Sequence, residues 1–439
     1  MYDCDLGNFI FRCRVTKGIS RSELAEKIGV TEPDISDWER GKKKPDEENL
    51  KKLASVFKVS EERIMSIGKK NKQSITTIVL TGGPCAGKST AMSRIQSTFT
   101  KMGYTVLIVP ETATELITGG VAPDTCGTVL DYERLQMRLQ LEKEAVFVEA
   151  AKTMDSDRVL IVCDRGNLDV KAYMSETDFS LLIDDLGTNE TELRDNYDAV
   201  FHLVTTAKGA EQFYTTSNNA ARRETPQEAA LVDDKLIAAW TGHPHFRVID
   251  NSTDFDNKIR RLMVEISSFL GEPEPFEIER KFLIEYPDIE WLDSIPNCKK
   301  VDIIQTYLKT DREDEEVRIR QRGVNGNYIY FHTTKRRISG IKRIETEQKI
   351  SEGEYLRLLM EADTTKRQLR KNRYCLMYDN QYFEIDVYPF WNDKAILEIE
   401  LSDENSEIRF PKQIKIIKEV TYDDSYKNSS LAASAHAAG

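Results

Sequence analysis

A chain of 439 residues is longer than one ordinary core fills, so its size predicts several domains. With 40% hydrophobic and 31% charged residues and no apolar run of spanning length, the composition excludes a helical membrane protein and a disordered one. The net charge of −12 argues against a wholesale nucleic-acid coat, and the seven scattered cysteines, without zinc or disulfide spacing, imply reduced thiols. The opening residues carry no signal-peptide pattern, so a cytoplasmic location is expected.

Residues 6–66 hold short apolar-periodic stretches punctuated by Gly18, Gly29, Gly41 and Pro45, which predicts several short helices. Ser20 is the expected N-cap of the one containing Leu24, Ala25 and Ile28, and Thr31 of the one containing Ile35 and Trp38. The stretch SRSELAEKIGVTEPDISDWERGKKKPDEENLKKLASVFKVS resembles the Cro/repressor type of helix-turn-helix, an all-α module placed here at residues 1–70. That resemblance implies that the helix beginning near Thr31 enters the major groove of DNA. Its acids Glu32, Asp34, Asp37 and Glu39 oppose phosphate, leaving Lys42, Lys43, Lys44 and Arg40 to hold a backbone. DNA binding with little sequence preference is expected. The competing reading is a helical interaction or dimerisation module, which leaves a homo-oligomer open.

A polar joint, Gly68 to Ser74, ends this segment, and a second joint at Gly271-Glu-Pro-Glu-Pro275 sets off an α/β domain at residues 75–271. The β-branched run Thr76 to Leu80 leads into GGPCAGKS, which fits G-x-x-x-x-G-K-[ST] and predicts a P-loop NTPase with a parallel sheet. Gly82, Gly83 and Gly87 let the backbone fold round phosphate oxygens, Lys88 reaches the terminal phosphates, Ser89 ligates Mg²⁺, and Thr90 follows at the helix N-terminus. Two later strands end in acids, VLIVPE in Glu111 and VLIVCDRG in Asp164 followed by Arg165. With Lys88 they form the candidate catalytic set, one acid on the metal and the other accepting a proton from an acceptor hydroxyl. Arg222 and Arg223 lie on a polar segment suited to closing over the phosphates. His243 and His245 invite a metal reading, but without a third ligand a turn held by Pro244 is the better one. The segment resembles the kinase-like AAA-type P-loop domains grouped with nicotinamide riboside kinases, and looks closest to the P-loop half of the TRP-channel translocation-defect protein family. The resemblance implies ATP or GTP binding.

From Phe276 the period becomes two and the alternation is inverted, with charge where a half-buried strand would be apolar. Glu277, Glu279 and Lys281 begin it; Arg318, Arg320 and Arg322, then Arg343, Glu345 and Glu347, then Glu384 and Asp386, then Glu398 and Glu400 repeat it. Both signs clustered on five strand faces call for a divalent metal together with a polyphosphate, enclosed by a sheet whose apolar side is covered by helices such as EGEYLRLLMEA. The E-x-E-x-K run Glu277-Ile-Glu279-Arg-Lys281 and the segment KEVTYDDSYKNSSLA, which looks like a closing helix, resemble the CYTH superfamily of triphosphate tunnel metalloenzymes over residues 276–432. An antiparallel β tunnel barrel of α+β class is implied. Carried over by position, Glu277, Glu279, Glu345, Glu347, Asp386, Glu398 and Glu400 would hold Mg²⁺ or Mn²⁺. Lys281, Arg318, Arg320, Lys335, Arg343, Lys371 and Arg373 would bind phosphates, with Lys281 also in the catalytic set.

The leading expectation is therefore a multidomain enzyme, an NTP-binding kinase-like domain coupled to a metal-dependent hydrolase of tripolyphosphate, NTPs or RNA 5′-triphosphates. The alternatives are a DNA-binding regulator that senses nucleotide or polyphosphate and a GTP-dependent adaptor for phosphorylated lipids.

Overall fold

The computed structural model describes residues 4–40, 42–59, 61, 64, 73–213, 225–271, 278–310, 315–339, 342–401 and 407–434. The chain divides into two compact units, Met1–Ser74 with Asp155–Arg158, and Ile75–Met154 with Val159–Gly439. Among the described residues no helix is long and apolar enough to cross a membrane.

In the first unit, helices α1 (Cys4–Thr16), α2 (Arg21–Ile28), α3 (Glu32–Glu39) and α4 (Glu47–Phe57) surround Leu6, Ile10, Leu24, Ile28, Ile35, Trp38, Leu53 and Phe57. Ser20 and Thr31 cap α2 and α3 as expected, each in a reciprocal box with the residue three positions on, Glu23 and Asp34. Gly29, at φ 76°, ends α2 in the left-handed conformation. The expected repulsive face of α3 is smaller than its composition suggests. Glu39 is buried between Arg14 at 2.5 Å and Arg21 at 2.7 Å, and Asp34 is engaged in the cap. These two acids are structural.

In the second unit β1 (Ser74–Thr81), α5 (Lys88–Lys101), β2 (Thr105–Val109), α6 (Thr112–Thr118), α7 (Val129–Thr153), β3 (Arg158–Asp164), α8 (Glu176–Asp185), α9 (Glu190–Asp195), β4 (Ala199–Leu203), α10 (Pro226–Trp240), β5 (Phe246–Ile249) and α11 (Phe255–Phe269) build an α/β layer. The five strands lie in the order β2-β3-β1-β4-β5, and β2/β3, β1/β4 and β4/β5 run parallel. Both faces are covered. Val79, Ile161 and Val200 pack with Trp240 on one side, while Leu80, Leu160 and Phe201 pack with Ile95 on the other. From β1 the chain goes first to one edge of the sheet and later to the other, so the loop after β1 sits at the crevice where such sheets bind ligands.

The rest of this unit contains β6 (Ile278–Glu285), α12 (Ile289–Ser294), β7 (Cys298–Tyr307), β8 (Glu315–Val324), β9 (Asn327–Ser339), β10 (Lys342–Ile350), α13 (Glu352–Leu358), β11 (Leu369–Tyr378), β12 (Gln381–Val387), β13 (Lys394–Leu401), β14 (Ile416–Glu419) and α14 (Asn428–Ser434). The strands form one antiparallel sheet in the order β10-β9-β8-β7-β11-β12-β13-β6-β14. In a flat sheet β6 and β9 would stand six spacings, or about 29 Å, apart. The charged side chains opposite the apolar face, Arg318 on β8, Lys371 and Arg373 on β11, Asp386 on β12 and Glu398 on β13, are nevertheless buried, so the sheet is strongly curled round them. The inverted alternation holds. Phe282, Ile284, Phe383, Ile385, Leu397 and Ile399 face outward under Leu292 of α12 and Ile414, and Ile319 is covered by Tyr355 and Leu358 of α13. The segment KEVTYDDSYKNSSLA departs from a single helix: Lys418 and Glu419 end β14, and α14 begins only at Asn428. Leu431 and Ala432 of α14 pack against Leu283, Leu369 and Ile396. β14 is four residues long and exposed throughout, with a register shift between Ile416 and Lys418.

Candidate functional site

The loop between β1 and α5 has the backbone its sequence demands. Gly82 adopts φ 149°, and a Cβ there would stand 2.2 Å from the Leu203 carbonyl oxygen; Gly87 adopts φ 93°, where a Cβ would meet the Phe255 ring at 2.6 Å. Only glycine fits at either place. Lys88 turns back into the loop, with Nζ 3.3 Å from the Gly82 carbonyl, and is buried. Burial and then the Arg165 guanidinium push its pKa down, against the pull of Asp164 and Glu111. An ammonium so placed gains from an incoming phosphate. Ser89 and Thr90 are exposed on the first turn of α5. Arg222 and Arg223 lie outside the described residues.

The two strand-end acids differ. Glu111 accepts from Arg165 Nε, and although burial pushes its carboxyl up, Arg165 and Lys88 outweigh this and hold it at about 2. A carboxylate of that strength is a poor proton acceptor at neutral pH. Asp164 Oδ1 is buried without a hydrogen-bond partner, and burial raises its carboxyl despite the Lys88 charge. An orphan hard oxygen facing the loop lysine fits Mg²⁺ coordination, direct or through water, so Asp164 is the better candidate for that task.

Sequence reasoning missed the groups that hold the loop. Asp169 accepts from Thr81 Oγ1 at 2.8 Å and Trp240 Nε1 at 2.7 Å, and pairs with Arg165 at 3.2 Å. Asp233, fully buried on α10, accepts from the Gly83 amide at 3.0 Å, the Thr205 amide at 3.1 Å and Lys208 Nζ at 3.0 Å, and bonds His202 Nε2 at 3.0 Å. Lys258 donates to the Val204 carbonyl at 2.6 Å, Asn251 Oδ1 at 2.7 Å and the Ala86 carbonyl at 3.3 Å. Asp233→Ala removes the acceptor of two amides and two basic side chains in a buried space, and is expected to lower unfolding free energy by about 3–5 kcal/mol. Denaturant unfolding would measure it; a loss below about 1 kcal/mol would mean that the network reorganises at little expense.

On the curled sheet the strand register sets the charged residues on one face. Lys281 stands opposite Glu398, and Glu279 opposite Glu400, across β6 and β13. Glu398 continues to Glu384 and Ile396 to Asp386 on β12, and Asp386 to Arg373 on β11. Farther round, Arg318 faces Thr333, which faces Glu347, while Lys335 and Glu345 are register partners. Glu277 and the side chains of Arg343 and Glu345 lie outside the described residues. Most of the remaining acids and bases form ion pairs. Lys281 Nζ lies 2.6 Å from Glu398; Arg373 reaches Asp386 at 2.7 Å, Glu398 at 2.8 Å and also Glu384; Lys371 bonds Asp386; and Arg320 lies 2.7 Å from Glu347. Burial raises the Glu347 carboxyl, but Arg320, with His245 and Arg318 behind it, holds it at about 2. Among the described residues no three acids, histidines or cysteines converge as a ready metal cage. Carboxylate oxygens are donors of the kind that fit a hard divalent ion. Glu384, missed as a site residue, shares this face. Its signal was its place two residues before Asp386 in one strand.

Family models match the chain in three places, a helix-turn-helix at residues 10–64, an AAA domain at 77–258 and a CYTH domain at 275–425. The chain joins these three domains in that order. Among solved structures, the inorganic triphosphatase NE1496 is 30% identical over 36% of this chain and 95% of its own, with a TM-score of 0.26. The biofilm regulator SinR, solved in complex with DNA, is 38% identical over 14% of this chain and 97% of its own, with a TM-score of 0.13. The restriction-modification controller protein C.AhdI from Aeromonas hydrophila is 24% identical over 14% of this chain and 94% of its own, with a TM-score of 0.14. No curated protein matches.

The AAA and CYTH domains share direct contacts. Arg322, third in its alternating run, is fully buried and binds Asp195 at 2.5 Å together with the Gly242 carbonyl. Tyr382 donates to the His243 carbonyl at 2.9 Å. His243 is buried, its Nε2 3.1 Å from the Tyr197 carbonyl and its Nδ1 accepting the His245 amide at 3.0 Å, and burial pushes its pKa down to about 3. Its role is the turn. Arg247 on β5 bonds Glu400 on β13 and lies 3.6 Å from Glu265 on α11.

Proposed function

We propose that the AAA domain binds a nucleoside triphosphate, ATP or GTP, and that the CYTH domain is a metal-dependent phosphohydrolase of a linear triphosphate such as tripolyphosphate, an NTP or an RNA 5′-triphosphate. The observation that carries the second part is the interleaving of Lys281, Lys371, Arg373 and Arg320 with Glu398, Asp386, Glu384 and Glu347 on one face. A receptor for the anion alone would gain nothing from these carboxylates, which repel phosphate; a metal–polyphosphate separates the two sets, anion to cation and metal to carboxylate.

Mg²⁺ or Mn²⁺ would be held by Glu279, Glu398, Glu400 and Asp386, with Glu277, Glu345 and Glu347 completing the acidic set. Such an ion supplies charge neutralisation and a more acidic water. The protein's own cations, Lys281, Arg318, Arg320, Lys335, Lys371 and Arg373, with Arg343, orient the phosphate chain. In the AAA domain Gly82, Gly83 and Gly87 shape the cradle, Lys88, Ser89 and Thr90 meet the phosphates and their metal, and Asp164 is the second metal contact. The test is phosphate release by the purified chain with tripolyphosphate, NTPs and 5′-triphosphate RNA under Mg²⁺ and Mn²⁺. Glu279→Gln, which removes a charge and keeps the size, is expected to reduce release at least about a hundredfold. Absence of metal-dependent release with every substrate would leave the domain a binder.

A further inference from the structure

One basic side chain of the AAA domain, Arg247, reaches a carboxylate of the CYTH face: it bonds Glu400, the register partner of Glu279. The other contacts of this junction are the buried pair of Arg322 with Asp195 and the part-buried bond of Tyr382 to the His243 carbonyl. The Arg247–Glu400 pair differs from them. Its side chains keep 23% and 32% of their exposure, against 2% and 0% for Arg322 and Asp195, and Glu265 offers the guanidinium a second partner within its own domain. A partly exposed ion pair with an alternative partner exchanges at a smaller loss than a fully buried one. The planar fork also matches phosphate as well as it matches carboxylate.

We propose that the metal–polyphosphate site of the CYTH domain is composite: Arg247, supplied by the AAA domain, neutralises Glu400 in the free protein and turns to a phosphate of the chain when it binds, leaving the carboxylate to the metal. This rests on the phosphate and metal reading of the CYTH face given above. Metal and Arg247 then compete for Glu400, while polyphosphate and Arg247 attract. A clamp that only pairs with Glu400 would show the first effect, but phosphate binding would then not depend on the guanidinium fork.

The experiment measures Mn²⁺ binding by electron paramagnetic resonance, and metal-free tripolyphosphate binding by calorimetry, on the full chain in a Lys88→Ala, Ser89→Ala, Asp164→Asn background that removes the AAA phosphate and metal contacts. Arg247→Ala is expected to tighten Mn²⁺ and to weaken tripolyphosphate, each by about tenfold, the worth of one charge-assisted hydrogen bond. Glu265→Gln, which leaves the Glu400 bond in place, should move neither constant by more than about twofold. If Arg247→Ala unfolds or separates the domains, Arg247→Lys replaces it and should weaken tripolyphosphate while leaving Mn²⁺ near its original affinity, because the charge stays and the fork is lost. Unchanged constants in a folded variant would overturn the proposal. A parent protein that binds neither Mn²⁺ nor tripolyphosphate would instead overturn the reading of the CYTH face beneath it.

Discussion

Lys88→Ala is expected to weaken ATP or GTP binding by about 100- to 1,000-fold. The ammonium is buried against the loop, its pKa lowered by burial and Arg165, so the free protein holds it at a loss that a triphosphate reverses. Two charge-assisted contacts to terminal phosphates at about 1.5–2 kcal/mol each, the lower part of the range for such bonds, give that loss. The measurement belongs on the whole chain with tripolyphosphate saturating the CYTH domain, because the AAA domain alone would expose Asp195 and the Gly242 turn that Arg322 covers. Unfolding free energy should hardly fall, since the substitution removes a buried charge. Affinity within threefold of the parent would remove Lys88 from the phosphate site.

Arg373→Ala should be the most destabilising single change in the CYTH domain. It withdraws the guanidinium shared by Glu384, Asp386 and Glu398 and leaves buried carboxylates short of a partner, at an expected cost of about 3–5 kcal/mol. The pH dependence carries the sign. In the parent, burial opposes ionisation of Glu398, but Lys281, Arg373 and Lys371 hold its carboxyl well below the usual range. Its contribution is thus complete above the unfolded value and is lost as pH falls toward the folded one. Without Arg373 these carboxyls rise, the folded state binds protons that the unfolded chain releases, and the variant should gain stability on going from pH 7 to pH 5. Mn²⁺ should also raise its unfolding temperature more than that of the parent. A variant with parental stability and the parental acid slope would show that Lys281 and Lys371 suffice.

Much of this was legible in the sequence because it is local. The phosphate loop is one run of eight residues, the caps at Ser20 and Thr31 are three residues from their partners, and alternation shows which side chains share a strand face. Chain-distant contacts were not legible. Asp233 reaches Gly83 across 150 positions, Lys258 reaches Ala86 across 172 and Arg247 reaches Glu400 across 153, and nothing in local spacing couples them. Charge counted along a helix misled for the same reason, since Glu39 counts as an exposed acid until Arg14 and Arg21 from other helices enclose it. The signs on the CYTH face were readable; that they neutralise one another in the free protein needed the register.

The short last strand bears on how this protein behaves at high concentration. A curled sheet with a free margin presents unpaired amides and carbonyls, the usual template on which another chain adds and aggregation begins. β14 is a poor template. Four residues offer few bonds, and the slip between Ile416 and Lys418 breaks their spacing. This margin thus resists strand-by-strand self-association.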